Sequence, residues 1–218
     1  MMKAYVFYTN SVISCLELLE QSCAELEDLE IVRLLGGDDS TKSLAGQTGT
    51  IEYMKLMLSR WLRLPELIEE NVGSKILFID SDIVFNRYKK DTIRNIELFL
   101  DDYDLVTQYD DNSGMSAGVN MGFLGINCTS KALVKFSEFM DLISTLITEN
   151  PPAGYPQIQF NDYLIAGGGT PPLDYKVLSC DYGQRTSNCR FYHAIGVGGC
   201  GEKVNAMKSA LYSFDQNK

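Results

Sequence analysis

Lys75-Ile-Leu-Phe-Ile-Asp80-Ser-Asp82-Ile-Val-Phe85 is the stretch that decides the reading of this chain. A mostly apolar run ends in two carboxylates one residue apart, and three apolar residues follow. A run of this length bounded by polar residues predicts a strand buried on both faces of a parallel sheet. In such sheets ligands bind beyond the carboxyl ends of the strands. Asp80 and Asp82 therefore stand where a site is expected. Two ionised aspartates this close repel each other and are rarely buried without a partner. A hard divalent cation suits their oxygens, Mn²⁺ or Mg²⁺ above all.

The flanks on the N-terminal side support this frame. Residues 3–8 predict a first strand, and residues 11–26 carry apolar positions at helical spacing (Val12, Leu16, Leu19, Cys23, Leu26). Residues 29–35 predict a second strand, broken by Gly36-Gly37-Asp38-Asp39. Ile51, Met54, Leu58, Trp61 and Leu62 mark an amphipathic helix, and Pro65 is expected to open a separate short helix to about residue 71. The order β-α-β-α-β predicts an α/β fold: one domain over residues 1–218 with a doubly wound, mostly parallel, twisted sheet flanked by helices.

Beyond the aspartates the pattern continues. A short helix is expected near 91–101, strands near 103–108 and 118–126, and a long helix over 130–147 that Pro151-Pro152 stops. The strand at 118–126 contains Gly118, Gly122 and Gly125, and glycine inside a strand marks close approach of a ligand or another backbone. A helix from about 157 to 166, a late strand near 173–179 and a final short helix to about 212 complete the chain.

The 218 residues are 45% hydrophobic, enough for a sizeable core, and the formal net charge is −10. That charge argues against a nucleic-acid partner, which needs a basic footprint. An acidic protein taking a phosphorylated substrate must screen like charges, and a cation at Asp80 and Asp82 would do so locally. No signal-peptide pattern and no long apolar span is visible, so the reading is a soluble cytoplasmic protein without a membrane anchor. The six cysteines form no CxxC pair and are expected as free thiols.

Other polar positions join the aspartates. His193 is the single histidine of the chain. It precedes Gly196, Gly198, Gly199 and Gly201, whose backbone N–H groups can approach a diphosphate closely, and Lys203, a point charge for phosphate. Asp80, Asp82 and His193 make a mixed oxygen and nitrogen set suited to Mn²⁺. Three alternatives stay open. Asp80-Ser-Asp82 could be a solvated turn. It could be the motif of a HAD-like phosphatase, although two β-α units precede it here. Cys180, Cys189, His193 and Cys200 could hold zinc, although they lack the tight cysteine knuckle of such sites.

Four features in this order resemble the nucleotide-diphospho-sugar transferases, the glycosyltransferases of the GT-A fold, over nearly the whole chain. They are the apolar strand ending in Asp80-Ser-Asp82, the segment Asn120-Met-Gly122-Phe, the helix Gln157-Ile-Gln-Phe-Asn161-Asp162, and His193 followed by glycines and Lys203. The near-minimal size is similar to that of compact glycosyltransferases encoded by chlorella viruses, which would place the protein in a host cytoplasm.

The resemblance implies a metal-dependent hexosyltransferase that moves glucose, rhamnose or a similar sugar from a UDP-sugar to a glycan acceptor hydroxyl. Asp80, Asp82 and His193 would hold the cation. Asp80 would also touch the ribose, with Ser81 beside it at the donor. Tyr8, Thr9 and Asn10 would meet the uridine, Asp38 or Asp39 the base or ribose, Asn120 and Gly122 the sugar, and Gly199 and Lys203 the diphosphate. The pattern departs from the family at Ile158, where an aspartate is common, so the catalytic carboxylate stays open among Asp162, Asp181 and Asp110 or Asp111. The late histidine resembles the retaining families, in which no strong protein base is needed. A non-catalytic sugar-nucleotide or glycan-binding module is the rival from another class. The chain is also compatible with being one module of a longer, multidomain protein.

Overall fold

The computed structural model describes residues 1–36, 51–86, 88–110, 118–149, 156–165, 171–179, 182, 189–195 and 197–216. The first half follows the expected order: β1 (Met2–Tyr8), α1 (Ile13–Cys23), β2 (Leu29–Leu35), α2 (Ile51–Glu70) and β3 (Lys75–Asp80). Next come β4 (Ile83–Phe85), α3 (Lys89–Asp102), β5 (Leu105–Asp110), β6 (Gly118–Asn127), α4 (Ser130–Glu149) and α5 (Pro156–Ile165). The chain closes with β7 (Tyr175–Leu178), β8 (Phe191–His193) and α6 (Cys200–Gln216).

Six strands form one sheet in the order β2-β1-β3-β6-β5-β7. β6 is antiparallel to both of its neighbours, while the β1–β2, β1–β3 and β5–β7 pairs are parallel. The sheet is thus mostly parallel with one reversed strand near its middle. Side chains of β3 alternate between two cores, as the strand period requires. Ile76 and Phe78 pack with Trp61, Leu64 and Phe136 on one face. Leu77 and Ile79 pack with Leu16, Ile96 and Phe123 on the other. All four residues from Ile76 to Ile79 are at most 1% exposed, which is why this strand reads as an unbroken apolar run.

Two local expectations are corrected. Pro65 lies inside one continuous helix, α2, and does not open a second one. Proline removes a helical hydrogen bond and crowds the preceding turn. Here Trp61, Leu64, Leu67 and Ile68 form one buried stripe across it, and burying that stripe as a unit outweighs the local cost. The last helix also takes in part of the glycine-rich stretch that was expected to precede it. Helix α6 begins at Cys200, so Gly201 and Lys203 lie in its first turn, and Gly199 O accepts the N–H groups of Glu202 (3.0 Å) and Lys203 (3.1 Å).

The strands that matter for the site are offset. β3 pairs with β6 only from Lys75↔Asn127 to Ile79↔Phe123, so residues 118–122 of β6 run past the last pair of that ladder. Between Thr107↔Leu124 and Gln108↔Asn120 the β5–β6 register slips, and Met121, Gly122 and Phe123 bulge out of that ladder. A second, two-stranded ribbon pairs β4 with β8, with Ile83 opposite His193 and Phe85 opposite Phe191. Among the described residues no helix is long and apolar enough to cross a membrane.

Candidate active site

The site forms where β3 ends. Asp80 closes β3, Ser81 turns the chain, and Asp82 leads into β4. The β4–β8 ribbon then carries His193 to the same point, fixed by a bond from Ala194 N–H to Asp82 O (3.0 Å). His193 Nε2 lies 3.5 Å from Asp80 Oδ2 and 3.3 Å from Asp82 Oδ1. Among the described residues these three are the group whose ligand atoms converge, all within 4.8 Å of one another. A pocket of about 440 Å³ opens over them.

Each member is held by a partner that sets its chemistry. His193 is 2% exposed, and its Nδ1 lies 2.9 Å from Gln108 Oε1. An amide oxygen only accepts, so Nδ1 carries a proton and Nε2 is the nitrogen turned to the aspartates. Burial alone would lower the histidine pKa, but Asp82 and Asp80 outweigh it and raise it to about 9. Asp82 is buried, which by itself would raise its pKa; Lys203 and His193 overcome this and hold it well below the usual carboxylate range. Lys203 donates from Nζ to Asp82 Oδ2. Asp80 is likewise held below its ordinary value, burial being outweighed by Arg60 and His193.

Arg60 was not singled out as a site residue from the sequence. It comes from α2, is 3% exposed, and pairs with Asp80 Oδ1. Its guanidinium carbon sits 4.6 Å from the Trp61 ring centre and 4.9 Å from that of Phe78. Its Nε and Nη2 have no hydrogen-bond partner among the described residues. A signal was present: Arg60 falls four residues before Leu64 and three after Met57, on the stripe that Trp61 and Leu64 bury. A charge on a buried stripe implies a buried partner. Gln108 carried no such signal, because its role depends on the slipped β5–β6 register.

The floor is built by the bulge in β6. Asn120 Oδ1 accepts the N–H of Gly122 (2.7 Å) and pins the turn. A Cβ on Gly122 would overlap Asp80 Oδ2, His193 Cε1 and Asn120 Oδ1, so only glycine fits there. Helix α5 secures the same backbone. Gln157 Oε1 accepts Met121 N–H (2.8 Å), its Nε2 donates to Val119 O, and Asn161 Oδ1 accepts Val119 N–H (2.7 Å). Gln157 and Asn161, one helical turn apart, thereby bond the stretch of β6 that β3 does not reach.

The pocket gathers most of the residues singled out from the sequence. Tyr8, Thr9, Asp80, Ser81, Asp82, Asn120, Gly122, His193 and Lys203 all line it. Tyr53, Leu56, Met57 and Trp61 of α2 add an apolar wall that was not anticipated. Asn10 is exposed at the start of a short 3-10 turn and does not line the pocket, and Gly198 lines it where Gly199 does not. Asp162 is exposed on α5, also away from the lining, while the neighbouring Asn161 is buried. Asp38, Asp39, Asp111, Asp181 and the side chain of Asp110 lie outside the described residues. So does Cys180 of the zinc alternative; the five described cysteines are free, and none of them joins His193 in a metal-ligand group.

No protein-family model matches the chain, and no curated protein matches it. Solved structures do. A glycosyltransferase involved in the glycosylation of the major capsid of PBCV-1 superposes with a TM-score of 0.60 at 16% identity, covering 95% of this chain and 98% of that one. The glycosyltransferase GlyE of Streptococcus pneumoniae TIGR4 gives 0.60 at 14% identity, covering 99% of this chain and 62% of its own. An active-site mutant of LgtC gives 0.55 at 13% identity, covering 95% of this chain and 96% of its own. At these identities the likeness establishes the fold: the chain has the α/β fold of the GT-A glycosyltransferases.

Proposed function

We propose that the protein is a metal-dependent glycosyltransferase that moves a hexose or deoxyhexose from a UDP-sugar to a glycan hydroxyl, with retention of anomeric configuration. The observation that carries this reading is the convergence of Asp80, Asp82 and His193 at the carboxyl end of β3, beneath a pocket large enough for a small ligand. The donor set suits a divalent cation: two carboxylates held ionised and one imidazole nitrogen oriented by Gln108. Asp80, Asp82 and His193 would hold Mn²⁺ or Mg²⁺, which when bound neutralises charge on a diphosphate.

The remaining chemistry belongs to the chain. Lys203, which lines the pocket, would stabilise charge developing on the departing nucleoside diphosphate. Tyr8 and Thr9, at the end of β1, would meet the nucleoside. Asn120 would orient the sugar over Gly122, whose missing side chain leaves room for close approach. Among the described residues that line the pocket, the only carboxylates are Asp80 and Asp82, and both are committed to cationic partners. That supports a retaining course, in which the leaving phosphate rather than a protein base takes the acceptor proton. It equally favours the second reading, a module that binds a sugar nucleotide without turning it over.

Calorimetric titration of UDP with Mn²⁺ and again with EDTA tests the site. Binding that requires the metal, followed by release of UDP from one member of a UDP-sugar panel, is the expected result. Binding without turnover on any acceptor selects the binding module. Absence of binding to UDP, GDP and dTDP, with hydrolysis of a phosphomonoester in Mg²⁺ alone, selects the phosphatase reading. NMR of the product anomer decides retention.

A further inference from the structure

We propose that Lys203 is a built-in counter-ion that competes with the divalent cation for Asp82, so that the cation enters readily only when an anionic ligand draws Lys203 away. The identity of that ligand as a nucleoside diphosphate rests on the function proposed above. The competition itself rests on the geometry.

Each aspartate presents one oxygen to His193 and the other to a positively charged side chain. Asp80 turns Oδ2 to His193 Nε2 and Oδ1 to Arg60. Asp82 turns Oδ1 to His193 Nε2 and Oδ2 to Lys203. Arg60 and Lys203 thus already balance the two carboxylates before any cation arrives. A divalent cation arriving alone would add positive charge that nothing there compensates, among groups largely withdrawn from water. In such a setting unpaired charge is costly. A diphosphate ester, with one negative charge on each phosphoryl group, supplies the missing compensation.

The two counter-ions are not equivalent. The Arg60 side chain is 3% exposed and lies against Trp61 and Phe78, so it cannot leave without disturbing the core. The Lys203 side chain is 29% exposed, stands in the first turn of α6 and lines the pocket. Its flexible stem can exchange Asp82 Oδ2 for a phosphate oxygen by rotation of side-chain bonds alone. Lys203 is therefore the mobile charge and Arg60 the permanent one. Lys203 weakens the site for a bare cation and strengthens it for a cation that arrives with an anion.

The test is Mn²⁺ binding, read from loss of the paramagnetic signal of free Mn²⁺, for the wild type, Lys203→Met and Lys203→Arg, alone, with uridine and with UDP. Far-ultraviolet circular dichroism verifies the fold of each. Removing one opposing charge in contact with the carboxylate is expected to tighten Mn²⁺ binding without nucleotide by roughly tenfold or more in Lys203→Met. Lys203→Arg, which keeps the charge, is expected to stay near the wild type. UDP is expected to raise the Mn²⁺ affinity of the wild type much more than that of Lys203→Met, and uridine, which carries no phosphate, is expected to do nothing. Equal or weaker Mn²⁺ binding by a folded Lys203→Met protein overturns the proposal, as does the absence of Mn²⁺ binding in all three proteins. Tightening in Lys203→Met with no effect of UDP on any protein supports the counter-ion role and counts against the nucleotide-sugar function.

Discussion

His193 is held from both sides, by Gln108 at Nδ1 and by the two aspartates at Nε2. A proton and a cation compete for the same Nε2 lone pair, so metal binding must release a proton from a group raised to about 9. Apparent Mn²⁺ affinity is therefore expected to climb with pH up to about 9 and then level, which titrations at a series of pH values will read. The same shift acts on folding in the opposite sense. A folded-state pKa raised from 6.5 to about 9 contributes stability that is complete below 6.5 and lost as pH rises to 9. In EDTA the unfolding free energy is expected to fall across that window, and His193→Gln should flatten the fall. Gln108→Leu removes the acceptor that selects the tautomer and should weaken Mn²⁺ binding by roughly 10–100-fold. Gly122→Ala would press a methyl group against Asp80 and His193. The expected cost is about 1–3 kcal/mol in denaturant unfolding, with loss of metal binding.

At the scale of elements, the site depends on a strand that outruns its neighbour. β6 extends beyond β3, and α5 supplies from Gln157 and Asn161 the hydrogen bonds that a neighbouring strand would have supplied. Asn161→Ala leaves the buried Val119 N–H without its acceptor, at a cost of about 1–3 kcal/mol, and should loosen the bulge that carries Gly122. A fall in stability accompanied by weaker Mn²⁺ binding is the expected signature; unchanged stability would mean that α5 does not hold this strand. The motif Gln157-x-x-x-Asn161 was legible as one face of a helix, but its use as a substitute strand edge was not. Helix α2 offers the converse case. Pro65 predicts a break, and the buried stripe from Trp61 to Ile68 overrides it. Pro65→Ala restores a backbone donor in an unbroken helix and is expected to raise stability by roughly 1–3 kcal/mol in thermal or denaturant unfolding.

Across the whole molecule, remote segments are brought to one point by two pairing events. The parallel β1–β3 pair sets Tyr8 and Thr9 beside Asp80, and the β4–β8 ribbon sets His193 beside Asp82. A ligand that bridges these segments binds the native state alone and so stabilises all of it. UDP with Mn²⁺ at roughly a hundredfold excess over Kd should add about 2.7 kcal/mol, a rise of several degrees in Tm. Asp82→Asn should abolish that rise while the protein remains folded, because the ion pairs it breaks with Lys203 and His193 lie at the pocket and not in the sheet. A Tm rise retained in Asp82→Asn would place the nucleotide elsewhere.

The chain order of the six strands of the main sheet, the burial of β3 and the candidacy of Asp80, Asp82, His193 and Lys203 could be read from the sequence, because apolar period and residue type are local properties; the β4–β8 ribbon was not. What joins Arg60 to Asp80, Gln108 to His193 and Gln157 to the β6 backbone is not local. The slip between Thr107 and Gln108, the overhang of β6 past Ile79 and the continuity of α2 through Pro65 decide those partnerships. Each is set by packing summed over both faces of the sheet. A polar side chain's type declares that it needs a partner; only the tertiary structure, by fixing register and face, decides which partner it meets.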